Sequence, residues 1–418
     1  MPAYVQLHDD GPGKRVACTV NADNTYRQHV ETYSSNAHNT NIDGQTRSAS
    51  TLTLFDGKIL DEEDGYKWDT KGTGTAAFSA PGINMSVTSG QYSVRQGKMF
   101  CPYFSGKPQI FEATCVNFAL QTNVLKRIGY FSSNAVAPYD STKDGFWVEA
   151  DGITDSTYKL VCSRAGTVTH SIAWTSWDAY ADISAYDWTK FTVLKAEFLW
   201  LGGAGLRLFM CVDGAFKLVH TIDNHAGYQD DVIFLSPNQP VRYEIRSSTG
   251  TGSMKAICAQ VSTDGATANE QGEGQAVYSA SIACNTVGTI YALCGARKVA
   301  AHRTHFVPVS EFGVTQTSGN SDAGMLLLLL NPTLSAALTW SAVSHIEMAT
   351  ATTQTVTNVG RILKAVPLAG SSVAAQAQNA ALRILATGID NTMGEIIVAY
   401  APLTANQAVA GAMQVLEY

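Results

Sequence analysis

Between Arg127 and Ile245 the chain is a succession of short apolar runs, each cut off by a turn signal, which no helical domain can be built from. Phe146 and Val148 alternate with Trp147 and Glu149 up to the Asp151-Gly152 turn, and Tyr158 to Val161 runs back. Side chains of a strand point alternately to opposite faces, so this period of two predicts a hairpin. The arrangement repeats at Asp213-Gly214, which Leu206 to Val212 enters and Phe216 to Ile222 leaves. A second hairpin is expected there.

The same grammar extends in both directions. Short strands at regular spacing, from Leu52 to Ala266, predict an antiparallel sandwich or jelly roll over residues 52–266. Residues 1–51 read as an N-terminal attachment arm: Tyr4 to Leu7 and Arg15 to Val20 are strand-like, and the Asn-, Thr- and Ser-rich stretch Ser34 to Ser50 reads as a linker or a segment that orders on a neighbour. In residues 267–418 the composition shifts to Ala, Thr and Val with few charges, which predicts a C-terminal β-domain for oligomerisation or packing. Leu326 to Leu330, stopped by Asn331-Pro332, predicts a fully buried strand. Ser371 to Leu385 is Ala-rich and reads either as the one helix of the chain or as a loop before the strand Glu395 to Ala399. The fold class is therefore all-β.

Composition removes several function classes. A length of 418 residues implies two or three domains, and 45% hydrophobic against 15% charged residues implies an ordered chain. Net charge is -7 and the Lys and Arg residues are scattered, which argues against a nucleic-acid partner. The longest apolar runs, Met325 to Leu330 and Ile396 to Ala401, have six residues each. A membrane helix needs roughly 20, so no membrane insertion is expected. Met1 to Asp10 lacks the pattern of a secretory signal, so assembly in a cytoplasm is the expectation. The eight cysteines stand singly with no CxxC pair, which predicts reduced core thiols and no zinc site built on thiolates.

The words RIGYFSS (Arg127 to Ser133), DGFWVEADG (Asp144 to Gly152), FLWLGGAGLRLFM (Phe198 to Met210) and PVRYEI (Pro240 to Ile245) resemble a family of structural proteins of tailed-bacteriophage virions. LTLFDGK, ICAQVSTDGA (Ile257 to Ala266) and LLLLNPT (Leu327 to Thr333) carry the likeness, more weakly, from Leu52 to the C-terminus. The resemblance implies a concanavalin-like sandwich within a fibre or surface protein, located on a virion assembled in the host cytoplasm. Capsid decoration, head fibre and tail fibre are all compatible with it.

That fold also hosts glycoside hydrolases, some with an E-x-D-x-x-E strand whose two glutamates act as nucleophile and acid. Glu149, Ala150 and Asp151 supply its beginning, but Thr154 stands where the second glutamate belongs and Asp155 comes one residue late. The plainer reading makes Glu149 a strand-end polar residue and Asp151 a turn former. The acidic run Asp61 to Asp64 lacks the alternating spacing of a calcium loop and reads as solvated. His220, Asn224 and His225, and the pair His302 and His305, match no recognised metal motif. Neither G-x-S-x-G nor a phosphate-binding glycine loop occurs. The expectation is no catalytic residue, no metal and no cofactor.

Binding has one candidate. Trp174, Trp177, Tyr180, Tyr186 and Trp188 crowd into WTSWDAYADISAYDW, where rings interleaved with Asp and Ser can cover a sugar face and accept hydrogen bonds from its hydroxyls. The alternative is a long loop anchored by its own aromatics. The expected function is thus a non-enzymatic virion surface protein, with a glycan-binding host-recognition module as the alternative and a polysaccharide depolymerase as the weakest reading. Expected partners are further copies of the chain as a homotrimer, capsid or tail proteins, and host surface glycan.

Overall fold

The structure is a computed structural model, which describes residues 3–6, 15–20, 26–28, 51–59, 64–200, 205–223, 232–264, 272–317, 323–369, 374–378 and 386–417. Residues 1–48 form one compact unit and 49–418 another. In the first, strands β1 (Ala3–Gln6), β2 (Arg15–Val20) and β3 (Tyr26–Gln28) make an antiparallel sheet, with Ala3 opposite Cys18 and Cys18 opposite Gln28. The stretch Ser34 to Ser50 lies outside the described residues.

The second unit opens with a sandwich of fifteen described strands. In chain order they are β4 (Leu52–Asp56), β5 (Trp68–Gly72), β6 (Thr75–Phe78), β7 (Ile83–Val87), β8 (Tyr92–Gly97), β9 (Gln109–Val116), β10 (Val124–Ser132) and β11 (Asp144–Asp151). There follow β12 (Thr157–Arg164), β13 (Thr167–Ala173), β14 (Phe191–Phe198), β15 (Leu206–Val212), β16 (Ala215–Ile222), β17 (Val241–Ser247) and β18 (Gly252–Thr263). One sheet has the order β13-β12-β11-β10-β17-β8-β5; the other has β16-β15-β14-β9-β18-β7-β6, with β4 also on β18. All pairings are antiparallel, and neighbours distant in sequence, such as β10 and β17, show the crossed connections of a jelly roll.

Alternation sets the core. Ile128 and Tyr130 of β10, Phe146 and Val148 of β11, Phe111 and Ala113 of β9, and Leu194, Ala196 and Phe198 of β14 share one buried cluster. Phe146 meets Phe111 of the other sheet edge to face, with ring centroids 5.9 Å apart. Burying a side chain of this size is worth about 1.5–3 kcal/mol, so several such residues per strand fix the register. Both expected hairpins form, as β11–β12 and β15–β16. At the tip of the second, Asp213 (φ 51°) and Gly214 (φ 78°) are both left-handed, as a two-residue turn matching the strand twist requires.

The rest of the unit has its own core, running from Ile282 to Val415. One sheet contains Glu273–Tyr278, Gln407–Glu417, Val309–Gln316 and Ala374–Gln378; another runs Ser341–Val343, Ile346–Thr350, Tyr291–Lys298, Ile396–Pro402, Gly324–Leu330, Arg361–Leu368. Leu326 and Leu328 enter the main core while Leu327 and Leu329 pack with Ala399 on the opposite face, so this strand is buried on both sides. Within the Ala-rich stretch Ala374–Gln378 is a strand and not a helix, with Ala374 opposite Thr315 and Gln378 opposite Glu311, while 371–373 and 379–385 lie outside the described residues. The open edge of Val309–Gln316 satisfies its backbone groups at once, whereas an isolated helix of that length is marginal. The cysteines whose side chains are described, Cys101, Cys115, Cys162, Cys211, Cys258, Cys284 and Cys294, are free thiols, most of them buried. No described helix is long and apolar enough to cross a membrane.

Candidate functional site

Of the five rings expected to touch glycan, Trp177 and Trp188 are core. The segment that carries them folds into a single 3-10 turn, Trp174–Ser176, and a one-turn helix, Tyr180–Ile183, which bring the rings down onto the sandwich. Trp177 and Trp188 are 2% and 4% exposed. Trp188 stacks on Tyr158 with centroids 4.2 Å apart, and Trp177 Nε1 donates to the Ile172 carbonyl at 3.1 Å. Trp174 and Tyr186 are half-buried and edge onto Trp188, and Tyr180 edges onto Trp174. A sugar needs an open ring face, and Trp177 and Trp188 have none. Packing between rings took the surface that the sequence reading gave to a ligand.

Polar side chains converge instead on the outer face of the seven-stranded sheet. Because β12, β11, β10 and β17 are in register, Lys159, Glu149, Arg127 and Glu244 stand in one row across it. The next row carries Val161, Trp147, Gly129 and Arg242. Gly129 is required here, since a Cβ would lie 2.3 Å from the Phe146 carbonyl oxygen and 2.6 Å from Trp147 Cα. The Arg127 guanidinium lies over the Trp147 ring at 5.7 Å and that of Arg242 over Phe131 at 5.2 Å.

Glu244 is the hub of these charges. Its Oε2 accepts from Arg242 Nε and Nη2 at 3.1 and 3.0 Å, and its Oε1 from Arg127 Nη1 at 2.9 Å and from Arg246 Nε. Burial alone would raise this carboxyl, but Arg242, Arg246, Arg127 and Lys143 outweigh it and hold it well below the usual range. Arg127 Nη1 also donates to Asp140 at 2.9 Å, and Arg246 and Arg242 reach the carbonyls of Pro138 and Tyr139 at 2.7 and 2.6 Å. The segment between β10 and β11 is thereby strapped over the sheet. A turn from the C-terminal part of the chain covers the neighbouring strands: Ile389 N donates to Asp69 at 2.8 Å and Lys71 pairs with Asp390 at 2.7 Å. These two covers explain why every residue of β11 and β17 is buried.

The two carboxylates of the E-x-D strand are committed elsewhere. Glu149 Oε2 accepts from both Arg127 Nε and Trp147 Nε1 at 3.0 Å. Asp151 Oδ1 accepts from the backbone of Ile153 and Thr154 at 3.0 and 2.9 Å, and Lys159 Nζ lies 3.2 Å from its Oδ2. Burial works against its ionised form, but the Thr154 N–H, Lys159 and the Ile153 N–H prevail and lower the carboxyl below its ordinary value. Asp151 is a turn former, and Glu149 is an ion-pair partner.

A pocket of 340 Å³ opens on this face. Trp147 and Val161, both 3% exposed, line its floor, while Ser141, Thr142, Ser171 and the 55% exposed Val168 line its rim. Arg127, Asp140, Lys143, Glu149 and Ser163 supply polar groups. None of these residues forms a local motif, and only the DGFWVE strand pointed at the place.

The remaining candidates separate. His220 Nδ1 lies 3.1 Å from Asp178 Oδ2, and Asn224 and His225 lie outside the described residues. Asp64 accepts from the backbone of Tyr66 and Lys67 at 3.0 and 3.3 Å, while Asp61 to Glu63 lie outside the described residues. His302 ends a single 3-10 turn, His305 follows it, and both meet His345, which no sequence signal joined to them.

The fold defines an all-β protein, an antiparallel jelly-roll sandwich followed by further β-sheets with a core of their own. No protein-family model and no curated protein matches the sequence. Among solved structures, the chain is similar to the carbohydrate recognition domain of Emp47p, at 11% identity and a TM-score of 0.35, over 53% of this chain and 100% of that one. It is also similar to a Bacillus licheniformis β-glucanase (10%, TM-score 0.32, 51% and 98%) and to a legume lectin-like domain from Entamoeba histolytica (10%, 0.31, 51% and 98%). These likenesses concern strand arrangement, and no residue role is carried over from them.

Proposed function

We propose that this chain is a non-enzymatic glycan-binding module displayed on the surface of a tailed-phage virion, with the pocket rimmed by Ser141, Thr142, Val168 and Ser171 as its contact. The observation that carries the binding reading is the pocket's composition: the 55% exposed Val168 offers an apolar contact beside the hydroxyls of Ser141, Thr142 and Ser171 and the charges of Arg127, Asp140 and Lys143, which suits a ring that is apolar on one face and hydroxylated at its edge. Support for the non-enzymatic reading comes from Glu149 and Asp151, whose oxygens are held by Arg127, Trp147, Lys159 and turn N–H groups. Support for the virion comes from the sequence words around Arg127 to Ile245.

Thr142 and Ser171 are exposed, so Thr142→Trp and Ser171→Trp fill the pocket from its rim without touching the core. Retention on purified host surface polysaccharide is expected to fall at least about tenfold for each, a loss of about 1.4 kcal/mol. Full retention by both would overturn the assignment of the pocket. Antibody labelling of intact particles, viewed by negative-stain electron microscopy, tests the location, and unlabelled particles would refute it. Self-association as a homotrimer is supported by the charge-poor face of the Gln407–Glu417 sheet, where Tyr278 is 79% exposed beside Ala410 and Ala412. Light scattering of the purified chain decides it, and a monodisperse monomer refutes it.

A further inference from the structure

Three histidines of the C-terminal part meet at a place outside the pocket. His302 closes the 3-10 turn Ala300–His302, His305 follows three residues later, and His345 sits in the tight turn between Ser341–Val343 and Ile346–Thr350. One ligating ring nitrogen of each lies within 4.8 Å of the other two, and all three side chains are half-buried. The rings are in contact, with centroids 4.4 Å apart for His302 and His345 and 4.1 Å for His305 and His345.

The backbone that carries them is held. Val299 N donates to the His345 carbonyl at 3.0 Å, His302 N to Val299 at 2.9 Å, and His305 N to His302 at 3.1 Å. Lys298 Nζ, buried beneath, turns to the carbonyls of Arg303 and His305 at 2.8 and 3.2 Å. Glu417, 7% exposed near the end of the last strand, lies 2.9 Å through Oε2 from His345 Nδ1, and its Oε1 is buried with no hydrogen-bond partner. With Nδ1–H donated to that carboxylate, His345 Nε2 keeps a lone pair for a ligand. A carboxylate behind a histidine is also how metal-binding imidazoles are oriented and made more basic.

We propose that His302, His305 and His345 bind one divalent transition-metal ion of the zinc class, with Glu417 as the carboxylate that positions His345. Imidazole donors without thiolates suit zinc, cobalt, nickel or copper and disfavour calcium and magnesium, which take oxygen. Tetrahedral zinc with bonds of about 2.05 Å sets its nitrogens about 3.3 Å apart, so the cluster closes on an ion by side-chain movements of about 1.5 Å at most. A fourth position is left for water. The bound ion ties the turn 299–305 to the turn at 343–346 and, through Glu417, to the last strand.

The test is titration of the metal-free 418-residue chain with Co²⁺, read by its visible absorption, and with Zn²⁺ by calorimetry. Saturation at one ion per chain is expected. The chain has nine histidines, and the variant with His302, His305 and His345 all changed to Ala keeps the other six (9 − 3), which measures background binding. This variant is expected to lose the saturable phase, and His305→Ala alone to weaken it at least about tenfold. Glu417→Gln is expected to weaken it about 10–100-fold. His302→Ala serves if the triple variant does not retain the far-ultraviolet signal of a β-protein, since it removes one partly exposed ring. Absence of saturable binding in the wild type, or equal binding by a folded variant lacking these histidines, overturns the site; unchanged affinity in Glu417→Gln overturns the role of Glu417.

Discussion

Replacing Glu244 by Gln removes one charge and changes almost nothing in shape, which makes it the sharpest probe of the outer face. Glu244 is 1% exposed and receives four hydrogen bonds, two on each oxygen, all from arginines. Whichever oxygen becomes the amide nitrogen, two guanidinium donors then face an N–H₂ group. The cluster of Arg127, Arg242, Arg246 and Lys143 against Glu244, Glu149 and Asp140 goes from four positive and three negative groups to four and two. Breaking a buried pair from one side costs about 3–5 kcal/mol, and at about 2–4 °C per kcal/mol for a domain of this size Tm falls by roughly 6–20 °C. The pH dependence carries a second signature. The folded-state carboxyl lies below its ordinary value of 4.5, so its stabilisation is complete above that value and is lost as pH falls beneath it. The gap between wild type and Glu244→Gln therefore narrows in acid. Thermal unfolding followed by near-ultraviolet circular dichroism, at neutral pH and through the acid range, measures both. A Tm loss under about 2 °C, or a gap that stays constant into acid, would refute the network as described.

Gly129→Ala places a methyl group 2.3 Å from the Phe146 carbonyl and is expected to cost about 1–3 kcal/mol, read as a lower urea midpoint. Trp188→Ala empties a ring site in the sandwich core and is expected to cost about 3–5 kcal/mol while the folded fraction keeps its polysaccharide retention; lost retention at full stability would return the aromatic segment to the binding site. Lys298 is buried, and burial together with the Arg303 charge brings its ammonium down to about 7 from 10.5. Between those values the unfolded chain binds a proton that the folded chain does not, so stability from this residue rises with pH, and Lys298→Met should flatten the rise in urea midpoints over that window.

What the sequence determined is what local sterics dictate. Alternation at Phe146 to Ala150 and at Leu206 to Met210, closed by Asp-Gly turns, leaves a strand only one way to bury its apolar face, and both hairpins form there. Five successive leucines stopped by Asn331-Pro332 likewise admit little but a doubly buried strand. The Ala-rich stretch around Ala374 lacked such a constraint, and the free edge of Val309–Gln316 decided it. The aromatic segment was ambiguous for a related reason, since a ring that suits a sugar face suits another ring equally well; only the position of Tyr158 and Phe118 beneath Trp188 made that ring core. The assembly of each site from distant residues came from tertiary structure alone. Arg127 meets Glu244 across 117 residues, and His345 meets His302 and His305 by way of separate turns. A charge pattern or a ligand set distributed over distant strands has no period to read, because its spacing is fixed by the order in which the sheet assembles its strands and not by the geometry of any one of them.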